Sequence, residues 1–185
     1  PIIFIYTITT IINDGFSNRV KVDNYQKKHT YNYLNQDGQP CFGRTKDFCN
    51  FGAHKKKIIL LGDSHLGSLS YDLRNRTRLR YSFLPITLGG YFHLREIKQT
   101  HKHSQKINTE YDILRNNIDD ILKTSKNNII IIGGVTSLYF HNKRIEGRAN
   151  HWDYMFVNKD SLQYDLLAIE NSFINLIKKL SVDND

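Results

Sequence analysis

The 185-residue chain holds only 3 Pro, 2 Cys, 1 Met and 1 Trp, and alanine stands only at Ala53, Ala149 and Ala168. Each scarcity excludes something. Two cysteines cannot build the dense disulfide framework of a small secreted scaffold. Three prolines beside 11 Gly leave no low-complexity linker and no collagen-like stretch. No apolar run reaches the roughly 20 residues a membrane-crossing helix needs, so the chain is not a polytopic membrane protein. Nor is there an aromatic-glycine recognition motif, a zinc finger or a basic helix, so no nucleic acid is expected as a partner. The net charge of +8, from 26 Lys and Arg against 18 Asp and Glu, suits a polyanion without naming one. Abundant Ile, Lys and Asn beside so little Ala point to genome composition, which weakens charge as evidence.

What is present fits one globular domain, with 39% apolar and 24% charged residues. The run from Pro1 to Ile12 is apolar and β-branched but too short to span a bilayer. It reads either as the tail of a membrane helix that begins upstream or as a short buried strand. No basic segment precedes it and no small-residue cleavage site follows, which argues against a signal peptide. Residues 13–57 show no sustained period and form an irregular, polar lead-in. They contain Cys41 and Cys49, which an oxidising compartment would bridge and a reducing one would leave as thiols. Zinc spacing is missing, so no metal and no cofactor is expected.

From Ile58 the pattern becomes regular. Ile58-Ile-Leu-Leu61, bounded by lysines and Gly62, predicts a strand buried on both faces, as in a parallel sheet. A helix follows with Leu66, Leu69, Tyr71 and Leu73 inward and Arg74, Arg76 and Arg78 near its end. Leu79 to Leu88 predicts a second strand ending at Gly89-Gly90. Thr109 is placed to cap a helix with Tyr111, Leu114, Ile118, Ile121 and Leu122 on one side. Ile129-Ile-Ile-Ile132 is a third buried strand ending at Gly133-Gly134, and Ser161 opens a last helix that runs to Leu180. This alternation predicts an α/β three-layer sandwich with a central parallel sheet and right-handed crossovers.

Ligands of such sheets bind beyond the carboxyl ends of the strands. There the sequence places Gly62-Asp63-Ser64-His65, Gly89-Gly90 and Gly133-Gly134. A serine on the turn from a buried strand into a helix offers its hydroxyl beside unpaired first-turn N–H groups, a geometry for nucleophilic attack with oxyanion support. Glycine pairs admit a substrate close to backbone donors. Gly-Asp-Ser is by itself an ordinary helix cap; the four-residue sequence after a buried strand is a rarer event. His101 and His103 lie in a Lys/Gln-rich stretch and read as solvated. His93 closely follows Gly89-Gly90 and could enter the site mouth, but reads first as a packed or surface residue. His151-Trp-Asp153, with Tyr139, Phe140 and Tyr154, could line a sugar subsite or anchor the core.

Leu60-Leu-Gly-Asp-Ser-His65 resembles the first block of SGNH hydrolases and transferases. Together with Cys41-Phe-Gly-Arg44, Phe48-Cys49 and Asp14-Gly-Phe-Ser-Asn-Arg19, it is similar to the extracytoplasmic SGNH domain fused behind a membrane-embedded acyltransferase-three domain. The resemblance runs from about Asp14 to Leu180. It implies an SGNH/flavodoxin-like fold, Ser64 as nucleophile, Asp63 as its structural neighbour, and Gly89 or Gly90 as an oxyanion donor. Gly134 and His65 are further candidates for oxyanion or substrate contact, and Cys41–Cys49 for the disulfide.

The expected activity is O-acetyl transfer to cell-surface glycan through an acyl-serine. The partners would be a membrane acyltransferase domain in the same chain and a glycan acceptor, at the periplasmic face of the inner membrane. An esterase and a non-catalytic glycan-binding domain are the rivals. Two features depart from the family. Val135 and Thr136 follow Gly134 where an Asn is usual, and the chain has no Asp-x-x-His, the block that supplies the base. The domain is therefore expected to be C-terminally incomplete, with its base beyond Asp185 and these residues alone inactive.

Overall fold

The computed structural model describes residues 34–101, 104–134 and 154–184. The run Pro1–Ile12, the first part of the lead-in, and the Val135–Asp153 segment with its His151-Trp-Asp153 sequence lie outside the described residues. Three strands form the central sheet: β1 (Lys57–Gly62), β2 (Ser82–Thr87) and β4 (Ile129–Gly133), in the order β2-β1-β4 and all parallel. Their aliphatic side chains alternate between two faces, as strand geometry requires. Ile59, Leu61, Leu84, Ile86, Ile130 and Ile132 face one cluster; Ile58, Leu60, Phe83, Ile129 and Ile131 face the other.

The first face is covered by α3 (Thr109–Thr124) and α4 (Leu166–Leu180), which bury Tyr111, Leu114, Ile118 and Leu122, and Ile169, Leu176 and Leu180. The second is covered by α1 (Ser64–Gly67) and α2 (Ser70–Thr77) through Leu66 and Leu73. Helices on both faces of a parallel sheet are the expected three layers.

Several boundaries differ from the sequence pattern for local reasons. The helix expected from Leu66 to the arginines at 74–78 is two short ones. Gly67 packs so closely that an added Cβ would lie 3.2 Å from Thr87 Oγ1, and Ser68 Oγ donates to the His65 carbonyl. Leu69, expected inward, sits at the junction and is 52% exposed, while Leu66 and Ser70 are buried. Asn108, not Thr109, caps α3, its Oδ1 accepting from Tyr111 N. Asp165, not Ser161, caps α4; Leu162, at φ +53°, stands in a turn ahead of it. β2 begins at Ser82, leaving Leu79 on the surface.

The sequence pattern also missed a pair of five-residue strands, β3 (Ile97–His101) and β5 (Tyr154–Asn158), which form a separate antiparallel ladder. The described part of the lead-in, residues 34–56, holds isolated bridges but no helix or strand. It is fastened by the Cys41–Cys49 disulfide, buried against Phe51 and Tyr71. Gly43 N donates to the Thr87 carbonyl and Asn117 Nδ2 to that of Thr45, so this loop borders the carboxyl end of β2.

The strands end in step. Gly62 of β1 is aligned with Thr87 of β2 on one side and Gly133 of β4 on the other. That alignment leaves no room at Gly62, where an added Cβ would come 1.9 Å from the Gly133 carbonyl oxygen.

A polar network is buried in the larger core. His93, wholly buried, holds Tyr91 Oη at 2.6 Å on Nδ1 and Asp119 Oδ1 at 3.2 Å on Nε2. Burial keeps its pKa below the ordinary 6.5 despite the nearby carboxylate. The neutral ring therefore donates from Nε2 to Asp119 and accepts the tyrosine proton on Nδ1. Burial works to raise the Asp119 pKa, but the hydrogen bonds from His93 and Arg95, the latter at 2.7 Å, hold it below its ordinary 3.8. Arg95 meets the carboxylate charge while the imidazole is neutral.

Two outcomes follow from the packing. Gly62→Ala forces β1 and β4 apart and is expected to cost about 3 kcal/mol in urea unfolding. Gly89→Ala, where an added Cβ meets nothing within 4 Å, changes stability by about 0.5 kcal/mol or less; equal effects would refute the close approach. For His93, the folded pKa lies below the unfolded one, so its stabilising contribution is complete above 6.5 and is lost as pH falls through and below that value. Asp119 contributes its own loss only below its ordinary 3.8. The urea midpoint is therefore expected to fall between about pH 7.5 and 5, and to fall less in His93→Gln; identical pH slopes would contradict a buried neutral imidazole.

Candidate functional site

At the end of β1 the chain turns into α1 through Asp63, whose backbone is still extended at φ −88°, ψ −169°. Its carboxylate is buried, and Oδ1 accepts from His65 N at 2.8 Å and Leu66 N at 3.3 Å. This is an N-cap, in which charge-assisted bonds to two peptide N–H groups offset the cost of burying the charge. Gly134, at φ +153°, lies against the same group: an added Cβ would meet Oδ2 at 2.7 Å and Cγ at 2.8 Å. Gly134 was expected near the oxyanion or substrate; what the structure shows is this cradle for Asp63.

Ser64 is the first residue of α1 and is half-buried at the edge of the sheet. His65 beside it is exposed, with Nδ1 3.8 Å from Asp63 Oδ1, beyond hydrogen-bond distance. One expectation is corrected here. The first-turn N–H groups that were to stabilise an oxyanion are engaged: those of His65 and Leu66 by the Asp63 carboxylate, that of Gly67 by the Asp63 carbonyl at 2.9 Å. An aspartate cap captures the donors that a serine alone would have left open. The Ser64 N–H makes no hydrogen bond among the described residues.

The second bend joins the site through Leu88, whose N–H donates to the Gly62 carbonyl at 3.1 Å. Tyr91 N closes a tight turn onto the Leu88 carbonyl at 3.1 Å, and Gly90 takes φ +69°, a position where glycine is favoured. Gly89 is exposed and open on the side a Cβ would occupy, whereas Gly90 is buried. Neither glycine N–H has a partner among the described residues.

A residue the sequence pattern passed over fixes this bend. Gln99, buried on β3, donates from Nε2 to the Gly90 carbonyl at 3.3 Å and accepts on Oε1 from Asn108 Nδ2 at 2.6 Å. Nothing in Ile-Lys-Gln-Thr-His marks it; the one available signal was an Asn immediately before a helical pattern. Between the bend, the start of α3 and Tyr154 lies a cleft of about 290 Å³.

The register of the sheet thus brings Asp63, Ser64, the Gly89–Gly90 bend and Gly134 to one edge. No hydrogen bond joins Ser64 to a histidine among the described residues. His65 is exposed, His54 lies before β1 and contacts the Arg78 carbonyl, His93 is held by Tyr91 and Asp119, and His101 packs on Tyr154 with ring centroids 4.3 Å apart. His101, expected to be solvated, is half-buried, because the unforeseen β3–β5 ladder places an aromatic ring against it. Val135, Thr136 and His103 lie outside the described residues. Among the described residues, no three His, Cys, Asp or Glu side chains could hold a metal ion together. No helix among them is long and apolar enough to cross a membrane.

No curated protein and no solved structure matches the chain. One family model does, described as the SGNH domain fused to AT3 domains, and it covers residues 32–182. That span takes in the lead-in disulfide, the Asp63–Ser64 turn, both glycine bends and α4. The chain therefore belongs to the family of SGNH domains fused to AT3, or acyltransferase-three, domains.

Proposed function

We propose that this domain transfers an acyl group, acetyl in the first instance, to a hydroxyl of a cell-surface glycan by way of an acyl-Ser64 intermediate. Family membership supports the coarse reading, an SGNH domain with an acyltransferase-type role in a membrane-tethered, extracytoplasmic protein. The finer reading rests on one observation. Ser64 stands half-buried on the turn out of β1, at the sheet edge that also carries the Gly89–Gly90 bend, and the N–H groups of Ser64, Gly89 and Gly90 have no hydrogen-bond partner among the described residues.

In the first half-reaction Ser64 Oγ attacks the acyl carbonyl and its proton passes to a base. The C–O or C–S bond to the donor breaks, and the leaving group takes that proton. In the second, the acceptor hydroxyl attacks the acyl-serine and gives up its proton to the base. The ester bond to Ser64 breaks, and the proton returns to Oγ. Negative charge on the carbonyl oxygen in each step falls to peptide N–H donors, here Ser64 and the Gly89–Gly90 bend. Asp63 positions this arrangement by capping α1. The histidine that activates Ser64 comes from outside the described residues, and the acyl donor from the membrane domain.

The test uses the full-length, membrane-fused protein. When acceptor is withheld, an acetyl adduct should accumulate on the peptide bearing Ser64. Ser64→Ala should remove the adduct and lower acetylation of the glycan by about a thousandfold or more. Acetylation at the wild-type rate in Ser64→Ala overturns the proposal; release of acetate without glycan acetylation would identify an esterase instead.

A further inference from the structure

The cleft beside the second glycine bend is built unlike an anion site. It starts at Leu88, whose own N–H is bonded to the Gly62 carbonyl, and continues over Gly89, so it opens from the same sheet edge as Ser64. One wall is Tyr154, its ring packed on His101 at 4.3 Å between centroids, which holds an aromatic surface at the cleft. Tyr111 is buried beneath it and donates its hydroxyl to the Phe92 carbonyl at 2.7 Å, so it contributes apolar ring area and no free polar group.

The polar groups are amides and one carboxylate. Gln99 is 4% exposed and spends one amide hydrogen on Gly90; Asn108 spends one on Gln99. A primary amide carries two N–H donors, so each keeps one that has no partner among the described residues. Glu110, exposed on the first turn of α3, is the one charged residue lining the cleft among the described residues. Asn108 Oδ1 already takes Tyr111 N, and the Glu110 carboxylate on the first turn adds negative charge, which disfavours an anionic ligand although the protein is basic overall.

We infer that this cleft is the acceptor subsite and that it takes a single uncharged pyranose ring. An aromatic face, two spare amide donors and a carboxylate acceptor match the C–H face and the hydroxyl rim of a neutral sugar. At about 290 Å³ it holds the equivalent of about ten water molecules of roughly 30 Å³ each, a size for one ring. Glu110 selects against uronic and other acidic sugars. The inference deepens the acyl-transfer reading by naming the acceptor class, and Gln99 ties the subsite to the bend proposed to hold the oxyanion.

The test is saturation-transfer NMR on the 185-residue chain with glucose, galactose and N-acetylglucosamine, against glucuronate. The neutral sugars are expected to bind, and glucuronate about tenfold or more weaker. Tyr154→Ala should weaken the neutral sugars by about tenfold. Glu110→Gln, an exposed substitution, should bring glucuronate to within about threefold of glucose without altering the fold. No transfer from any neutral sugar, unchanged binding in a folded Tyr154→Ala, or glucuronate bound as well as glucose by the wild-type chain would each overturn the subsite. The adduct assay on the wild-type full-length protein separates the two readings. Sugar binding that persists while the full-length protein forms no acyl-Ser64 removes the acyl-transfer reading and keeps the subsite; an acyl-serine without sugar binding does the reverse.

Discussion

The site depends on how a buried carboxylate is kept content. Asp63 sits where β1 ends, out of reach of solvent, and its charge is met by the N–H groups of His65 and Leu66. Those bonds fix the turn that carries Ser64 out of the sheet. They require β1 and β4 to end in step, since Gly134 must pass within contact of the carboxylate and Gly62 within contact of Gly133. A side chain at either glycine would pry the strands apart or displace the cap. The Gly-Asp-Ser sequence and the paired glycines after β4 therefore express one packing constraint seen from two strands.

Much of this was legible in sequence because the dominant forces there are local and periodic. Runs such as Ile58–Leu61 and Ile129–Ile132 have no polar face, which only a parallel sheet covered on both sides can use. The positions Tyr111, Leu114, Ile118 and Leu122 trace one helical stripe, and all four are buried. What escaped depended on partners distant in the chain. β3 reads as polar because it buries Gln99, which bonds to Gly90 and Asn108, and Thr100, and β5 finds its register only by pairing with β3. Leu69 and Leu162 fit the apolar pattern yet sit at a helix junction and a turn, where backbone hydrogen bonding decided. The Asp63 cap was partly legible: its place before a helix was plain, but its consumption of the first-turn donors was not.

The core also shows why a histidine near a site in sequence need not serve it. His93 follows the second glycine bend by three residues, yet its ring points into the larger cluster, where Tyr91, Asp119 and Arg95 satisfy both nitrogens and the neighbouring charge. Both ring nitrogens are engaged and the ring is fully buried, so recruiting it as a base would mean opening the core. Such a network fixes the direction in which Tyr91 leaves the bend, and through Tyr91 N on the Leu88 carbonyl it stiffens the turn itself.

That stiffness bears on where an oxyanion can be stabilised. Because Asp63 occupies two of the donors at the start of α1, the donors left among the described residues for the proposed oxyanion are the Ser64 N–H and those of the Gly89–Gly90 bend. Donors stabilise a transition state only if they need not reorganise to meet it. A turn containing two glycines is intrinsically loose, and its looseness would forfeit the advantage. Gln99 removes it from one side by gripping the Gly90 carbonyl, Leu88 from the other by bonding to Gly62, and Tyr91 closes the turn between them. Glycine is thus used where backbone must be approached closely, and buried side chains from a separate ladder supply the rigidity that glycine lacks.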